Sequence, residues 1–413
     1  MRAAAIAGEP AALANGVRCA VLHHPGADVT TVSVWILAGS RHESVPGVAH
    51  LFEHVVMQSA PAGRTERVID EIEGWGGEAN AVTARDHVVL YARVPTADAT
   101  SALSALAAAA TATEFDEDLI YSERRVVQEE LRLAATDPTD IVHDVFFQTA
   151  YAGHAIGRPV GGTVADAARL GVSDLAAWSR CHVRPANLCV VVSGGLTARD
   201  VHATVASSAL AELPLPGPGD DRPADNSPPV VAGRRHLPIV SDTAAVVIGG
   251  PGFALSDRRL PAAEIVIELL AGNNAAVLQE ELRSRSGLSY DVSGGAHGYR
   301  ETGSWRIAIS TAPEHREHVV DLATELLTRA VRTGWTPGQV QRAGRRAAGL
   351  LRVRAESSLE EALLYGDHAY VGDSPGFSLA GYAADLAAVR VAEVNEAAEA
   401  MTARMVVATA GPA

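Results

Sequence analysis

Three residues, His50, Glu53 and His54, form an H-x-x-E-H string whose chemistry suits metal binding and proton transfer. On a helix, residues three and four positions apart share one face, so the two imidazoles lie one turn apart with the carboxylate beside them. Two histidines at this spacing can bind one zinc ion, and the glutamate between them is placed to activate a water molecule at the ion. The string predicts half of a zinc site, with His50 and His54 as ligands and Glu53 as the general base.

The residues around this string predict that its helix is largely buried. Ionisable side chains on a buried helix need a compensating partner, and a divalent metal ion would serve two histidines and a glutamate. A chain with 15 histidines and 49 acidic residues has a chance of about a few per cent of containing such a string, so a third ligand is needed. The apolar neighbours are Val48, Ala49, Leu51, Phe52, Val55, Val56 and Met57.

Composition and charge describe a folded globular protein. The 413 residues are 47% hydrophobic and 20% charged, which is typical of a globular rather than a disordered chain. The length suggests about two to three domains. The formal net charge of -15 argues against general nucleic-acid binding.

Cysteine usage and hydropathy favour a cytoplasmic location. Cys19, Cys181 and Cys189 are too few, and odd in number, for a disulfide framework, so a reducing compartment fits best. Residues 1–15 lack the apolar core that is typical of a signal peptide. The alanine-rich stretch at 97–113 is interrupted by serine and threonine, which favours a packed helix over a membrane span. We therefore expect a soluble protein that does not associate with a membrane.

A proline- and aspartate-rich segment divides the chain into two halves. The run PLPGPGDDRPADNSPP cannot form a helix or a central strand, which is typical of a linker. The sequence therefore predicts an N-terminal zinc-binding domain at 1–212, a linker at 213–233 and a C-terminal domain at 234–413. Each half has a common domain size.

Both halves begin with strand-like runs that are followed by helical patterns. This order predicts an α+β fold with two similar α/β sandwich domains, each a mostly antiparallel sheet with helices packed on it, related by a remote duplication. The predicted strands lie at 17–22, 30–37, 87–94, 188–193, 244–249, 305–310 and 405–410. The predicted helices lie at 48–59, 66–74, 97–112, 117–135, 141–149, 261–270 and 314–333.

The helix predicted at 117–135 carries candidates for the missing ligand. Glu123 and Glu130 are two turns apart and share one face, while Glu129 points about 100° away around the helix. This shared face makes the helix the best candidate for the third ligand, and we regard Glu129, which points away from the face, as solvent-facing.

With these glutamates, the sequence resembles the pitrilysin family of zinc peptidases. In that family an E-x-x-x-V-x-x-E pattern follows the H-x-x-E-H helix, and Glu123 and Glu130 match its two glutamates. The resemblance implies one Zn²⁺ per chain, held by His50, His54 and Glu130. It also implies that Glu123 orients the ligand histidines.

The segment 76–83, GGEANAVT, resembles the G-G-x-x-N-A-x-T element of the same family. The resemblance implies a strand beside the site, whose exposed edge pairs with a peptide as an added β-strand. Asn80 and Ala81 are then the expected substrate-binding residues.

The second half contains a segment similar to the family's L-R-x-x-x-G-L-x-Y motif. It places Arg283 and Tyr290 at the motif's arginine and tyrosine. The resemblance implies that Tyr290 donates a hydrogen bond to the developing oxyanion and that Arg283 holds substrate carbonyls. Residues 271–276 depart from the family's glycine-rich, arginine-containing run, which leaves substrate gating by this loop open.

Together these features predict a zinc-dependent endopeptidase. Because larger relatives enclose a chamber with four such domains, the resemblance implies that two chains form the chamber, as a homodimer or as a heterodimer with a related chain. Two alternatives stay open. The chain is a catalytically silent peptide-binding or scaffolding subunit of the same fold, or it is a metal-dependent hydrolase that acts on non-peptide amides.

Overall fold

The computed structural model describes residues 6–7, 11–61, 64–215 and 230–413. Most of the predicted linker at 213–233, residues 216–229, lies outside the described residues. Among the described residues, no helix is long and apolar enough to cross a membrane.

The chain forms two compact units, and neither is continuous in sequence. The first unit consists of Met1–Leu131, Val160–Ala224 and Val353–Ser378, and the second consists of Arg132–Pro159, Asp225–Arg352 and Leu379–Ala413. The sequence suggests two continuous halves, but Val353–Ser378 belongs to the first unit and Arg132–Pro159 belongs to the second.

In the described residues, twelve strands form two sheets. The strands are β1 Ile6–Ala7, β2 Ala11–Ala12, β3 Arg18–His23, β4 Val29–Ile36, β5 Glu78–Thr83, β6 Val88–Pro95, β7 Leu188–Gly194, β8 Gly233–Pro238, β9 Ala244–Pro251, β10 Ser289–Gly298, β11 Gly303–Thr311 and β12 Val406–Gly411. The first sheet has the order β1-β3-β7-β4-β6-β5, with β2 also paired to β3, and the second has the order β10-β11-β9-β12-β8.

Fourteen α-helices are present in the described part of the chain. They are α1 Val48–Gln58, α2 Val68–Gly74, α3 Ala99–Ala110, α4 Glu117–Thr136, α5 Pro138–Ala150, α6 Val164–Ala167, α7 Val172–His182, α8 Ala198–Ala206, α9 Leu260–Leu270, α10 Arg316–Thr333, α11 Pro337–Arg354, α12 Ser358–Gly366, α13 Leu379–Ala388 and α14 Val391–Thr402.

The two sheets repeat one topology. In the first unit the order β3-β7-β4-β6-β5 contains one parallel pair, β3 with β7, and the remaining pairs are antiparallel. The second unit has the same arrangement in β8-β12-β9-β11-β10, with β8 and β12 as the parallel pair. The predicted α+β class, with two similar domains, is confirmed, and the shared strand order is what a duplication leaves behind.

Side-chain size determines how closely the helices pack on the first sheet. The alanine-rich α3 buries eight residues in the core of this unit, where its small side chains let the helix backbone approach β4 and β6. The strands β4 and β6 supply valines and isoleucine, whose branched side chains suit a pleated surface. The packed helix expected at 97–113 is therefore present.

Buried polar contacts attach Val353–Ser378 to the first unit. The carboxylate of Glu361, on α12, lies 2.6 Å from His24 Nε2 and accepts a 2.6 Å hydrogen bond from the Ser193 hydroxyl. Gly366, at the end of α12, lies so close to Trp35 that an added Cβ would approach the indole to 2.2 Å. A buried carboxylate needs such partners, and here Ser193 lies on β7 while His24 directly follows β3.

Apolar packing places Arg132–Pro159 in the second unit. The helix α5 packs on β8, β9 and β12 through Phe146, Phe147 and their apolar neighbours. The hydroxyl of Tyr151 donates a 3.0 Å hydrogen bond to the carbonyl of Gly303. These long-range contacts have no local sequence signal.

Candidate metal centre

The helix α1 carries the H-x-x-E-H string on its less buried side. It buries seven apolar residues in the core, as the flanking sequence predicts, and leaves His50, Glu53 and His54 partly exposed. The helix starts after Gly47, whose φ of 84° is in the left-handed region. Packing therefore fixes the face on which the three polar side chains lie.

Two imidazoles and one carboxylate converge between α1 and α4. The Nε2 atoms of His50 and His54 lie 3.8 and 3.5 Å from Glu130 Oε2. One ligand atom from each residue lies within 4.8 Å of the other two. An ion bound tetrahedrally, with bonds of about 2.1 Å, needs ligand atoms about 3.4 Å apart. The donor set and its spacing therefore fit zinc, with one coordination position left for water.

Burial keeps His50 in the form that binds a metal. Desolvation is the main cause that lowers the pKa of His50, and His54 lowers it further, whereas the carboxylates of Glu53 and Glu130 raise it. The net effect is a pKa below the ordinary value of histidine, so the imidazole is neutral at pH 7. A neutral imidazole has the free lone pair that a metal ligand requires.

The two histidines have different surroundings on their Nδ1 side. His54 Nδ1 lies 3.3 Å from Glu123 Oε2, and the Glu123 side chain is only 14% exposed. A carboxylate at this position orients a ligand histidine and raises its basicity. His50 Nδ1 is buried and has no hydrogen-bond partner among the described residues, and the backbone of Gly161 lies against it. Glu129 is exposed, in agreement with the prediction.

A contact that sequence reasoning missed holds Glu53. The hydroxyl of Thr83, the last residue of β5, donates a 2.5 Å hydrogen bond to Glu53 Oε2. The same hydroxyl lies 3.4 Å from the carbonyl of Ala49. Thr83 is the final residue of the GGEANAVT element, so its position in that element was the available signal.

The strand β5 lies at the end of the first sheet and pairs only with β6 among the described residues. Its side chains alternate, with Ala81 buried and Asn80 exposed. Asn80 Oδ1 accepts a 2.8 Å hydrogen bond from the Ala81 amide, and the Asn80 side chain also bonds Tyr91 on β6. The predicted strand is therefore present, with a free edge next to α1.

Arg283 and Tyr290 are exposed residues of the second unit. Arg283 lies in a π-helical turn at Gln279–Arg285, and Tyr290 lies on β10, where its side chain is 86% exposed. The register of β10 shifts between Ser289 and Asp291, so Tyr290 is the extra residue of a bulge, a feature that redirects side chains. Neither side chain has a hydrogen-bond partner among the described residues, and their predicted roles stay predictions.

The fold and the site define a duplicated α+β protein with a candidate zinc centre in its first unit. Residues 18–164 match the model of the family "Insulinase (Peptidase family M16)", and residues 169–346 match that of "Peptidase M16 inactive domain". The chain belongs to peptidase family M16, and the predicted resemblance is confirmed. The three candidate ligands and Glu53 lie in the first matched segment, whereas Arg283 and Tyr290 lie in the second.

Relatives and solved structures agree with this assignment. An uncharacterized zinc protease of Streptomyces coelicolor is 28% identical over 338 residues, which are 80% of this chain and 73% of that protein. An uncharacterized zinc protease of Bacillus subtilis is 24% identical over 83% of each chain. The crystal structure of a peptidase M16 inactive domain from Pseudomonas fluorescens superposes with a TM-score of 0.88 at 19% identity, covering 99% of this chain and 98% of that one. A protease from Helicobacter pylori gives a TM-score of 0.86 at 20% identity, covering 99% and 100%. These two structures support the fold.

Proposed function

We propose that this protein is a zinc endopeptidase that binds one Zn²⁺ through His50, His54 and Glu130. The observation that carries the proposal is the convergence of these three donor atoms within 4.8 Å, with Glu53 on the same helix. The names of the relatives, zinc proteases, support the same class.

The chain's own residues account for the proton transfers. The bound ion would supply Lewis-acid chemistry, by acidifying a water molecule and polarising the scissile carbonyl. Glu53 takes the proton of the attacking water and passes it to the leaving amine. The Thr83 hydroxyl holds Glu53 Oε2, which leaves Oε1 to accept the proton. Glu123 keeps the ring of His54 in the orientation for binding.

We further propose that the substrate is an extended peptide or unfolded segment that adds to the free edge of β5. Backbone hydrogen bonds supply affinity in this mode, and they do not depend on the peptide's sequence. Asn80 and Ala81 would contact the peptide, because the Ala81 amide donates a hydrogen bond to the Asn80 side chain and could exchange that partner for a peptide carbonyl. Arg283 and Tyr290, whose roles the family resemblance implies, are the remaining candidates for substrate contact.

We propose that the working enzyme is a dimer, either of two copies or with a related chain. Light scattering and chromatography of the purified chain, with and without any partner that copurifies, distinguish these two forms. The donor set and Glu53 are both present among the described residues, which favours an active enzyme over the silent-subunit alternative.

Metal analysis together with cleavage of a quenched peptide library tests the proposal. We expect one zinc per chain and a cleavage rate that falls about 10²–10⁴-fold in Glu53→Gln while zinc remains bound. Glu66→Gln, an exposed carboxylate in the same unit, is the control. Glu130→Gln should weaken zinc binding, and the neighbouring Glu129→Gln should not. Zinc binding without Glu53-dependent cleavage would instead support the silent subunit.

A further inference from the structure

A short turn at residues 39–43 contacts both the metal-binding helix and the segment that follows the edge strand. It contains a 3₁₀ turn at Ser40–His42, flanked by Gly39 and Glu43. Two charged side chains of this turn, Arg41 and Glu43, are buried. Buried charges are costly unless they are paired, so their partners indicate what the turn does.

Glu43 provides the N-terminal cap of α1. Its two carboxylate oxygens accept hydrogen bonds from the amides of Gly47, at 2.8 Å, and Ala49, at 2.9 Å. Gly47, the residue before the helix, has no side chain to serve as a cap, and the first turn contains no acidic residue. Glu43 therefore supplies both the missing acceptor and the negative charge that favours a helix N-terminus. His50, the first candidate ligand, directly follows Ala49. The cap therefore fixes the helix backbone immediately before this ligand.

The other side of the turn is attached to the segment after β5. Arg41 Nε lies 2.9 Å from Asp86 Oδ1, and the two side chains are only 1% and 3% exposed. The amides of Ser40 and Arg41 donate hydrogen bonds of 3.0 and 3.2 Å to the carbonyls of Ala84 and Arg85.

Gly39 permits this close approach, because an added Cβ would lie 2.2 Å from the carbonyl oxygen of Ala84. Ala84 follows Thr83, the residue that bonds Glu53. The chain of contacts therefore runs from the turn, through the end of β5, to the general base.

We propose that Arg41 and Glu43 are positioning residues that hold α1 and the end of β5 in one fixed arrangement. Glu43 sets the start of the helix, and hence the position of His50. The Arg41–Asp86 pair sets the position of Thr83, and hence that of Glu53. The proposal rests on the proposed function for its effect on catalysis, but its structural part concerns contacts that exist without metal or substrate.

The Glu43 half is tested with Glu43→Gln. The amide keeps one acceptor but turns an NH₂ group towards a backbone N–H, so one of the two cap hydrogen bonds is lost. We expect zinc to bind about tenfold more weakly, as with other residues that orient ligands, and the Gly47 and Ala49 amides of the metal-free protein to exchange faster with deuterium. Glu66→Gln is the matched control. Wild-type zinc affinity and wild-type exchange in Glu43→Gln would overturn this half.

The Arg41 half is tested with the double variant Arg41→Met/Asp86→Leu, which removes both charges of the pair together. We expect kcat to fall about tenfold, with KM and zinc affinity within about twofold of wild type, because the pair supports the Thr83 side of the site, which holds Glu53. The exposed pair Arg67 and Asp70, replaced in the same way, is the control. A loss of thermal stability with unchanged kcat would mean that the pair is only structural.

Two further measurements keep the proposal falsifiable. If the double variant does not fold, Arg41→Lys retains the charge beside Asp86 but not the geometry of the guanidinium, and it should lower kcat with KM unchanged. If the wild-type protein cleaves no peptide, the proposed function fails, and amide exchange decides the positioning role alone. In that case Arg41→Lys must accelerate exchange at residues 83–86, and wild-type exchange there would overturn the proposal.

Discussion

Gly161 lies next to the Nδ1 atom of His50, whose Nε2 atom faces Glu130, and its substitution by alanine is a sensitive test of the site. A Cβ at this position would lie 3.1 Å from His50 Nδ1 and 2.9 Å from Leu131 Cδ2, whereas ordinary contacts begin at 3.4 Å. The end of the leucine side chain can turn away at low cost. The imidazole is only 13% exposed and its Nδ1 atom is buried, so relieving the contact requires the ring to shift by about 0.3 Å.

That displacement is large for a metal ligand. Ligand distances in metal sites are held to about 0.2 Å, so a shift of this size strains either the bond from His50 or the geometry at Glu130. We expect zinc to bind about tenfold more weakly to Gly161→Ala, a change of about 1.4 kcal/mol. The fold should persist, because Gly161 does not have a left-handed φ that an alanine would strain.

Competition with a chromophoric chelator measures this affinity, and thermal unfolding of the metal-free protein verifies the fold. Gly171→Ala is the control, since Gly171 has a φ of -146° and an added Cβ there would meet nothing within 4 Å. Equal zinc affinity in Gly161→Ala, Gly171→Ala and wild type would refute the reasoning. It would mean either that His50 does not bind the ion or that it does not lie against this glycine.

Three more predictions concern the neighbours of the site and the stability of the fold. Thr83→Val removes the hydroxyl that bonds Glu53 and should lower kcat about tenfold, whereas Thr83→Ser should retain it; equal rates in steady-state assays would contradict the role. Glu123→Gln should weaken zinc binding about tenfold in a chelator titration, and unchanged affinity would show that it does not support His54. Burial lowers the pKa of His368 to about 4, so the folded protein keeps this ring neutral. The unfolded chain, with a histidine pKa of about 6.5, binds the proton earlier, and unfolding free energy should fall by about 2 kcal/mol from pH 7 to pH 5. Urea unfolding at the two pH values should show that His368→Gln lacks this part of the loss.

Local patterns predicted the elements of the site because helical periodicity is a local property. The spacing of His50 and His54 places both on one face of α1, and the seven-residue spacing of Glu123 and Glu130 does the same on α4. The predicted ends of helices were less accurate than their positions along the chain. The helix predicted at 141–149 begins at Pro138, a residue that is favoured in the first helical turn, after the cap Asp137.

Strands that depend on pairing were harder to predict. The sequence pattern does not predict β10, which contains three glycines and has a low intrinsic preference for extended structure. Pairing with β11 along almost its whole length keeps it in the sheet. Strand formation here is decided by a partner that lies elsewhere in the chain.

The sequence by itself determined the types and the local spacing of the candidate ligands, and the repeated order of strands and helices. Only the tertiary structure decided which distant groups surround them. Three such contacts are those of Thr83 with Glu53, of Gly161 with His50 and of Glu43 with the start of α1. The first two join segments that are distant in sequence, and the third joins a turn to the helix that follows it. The same holds for Val353–Ser378, whose buried Glu361 finds its partners in the first unit. Such contacts form because buried polar groups must be paired and buried side chains must fit, and both conditions depend on the packed fold rather than on spacing along the chain.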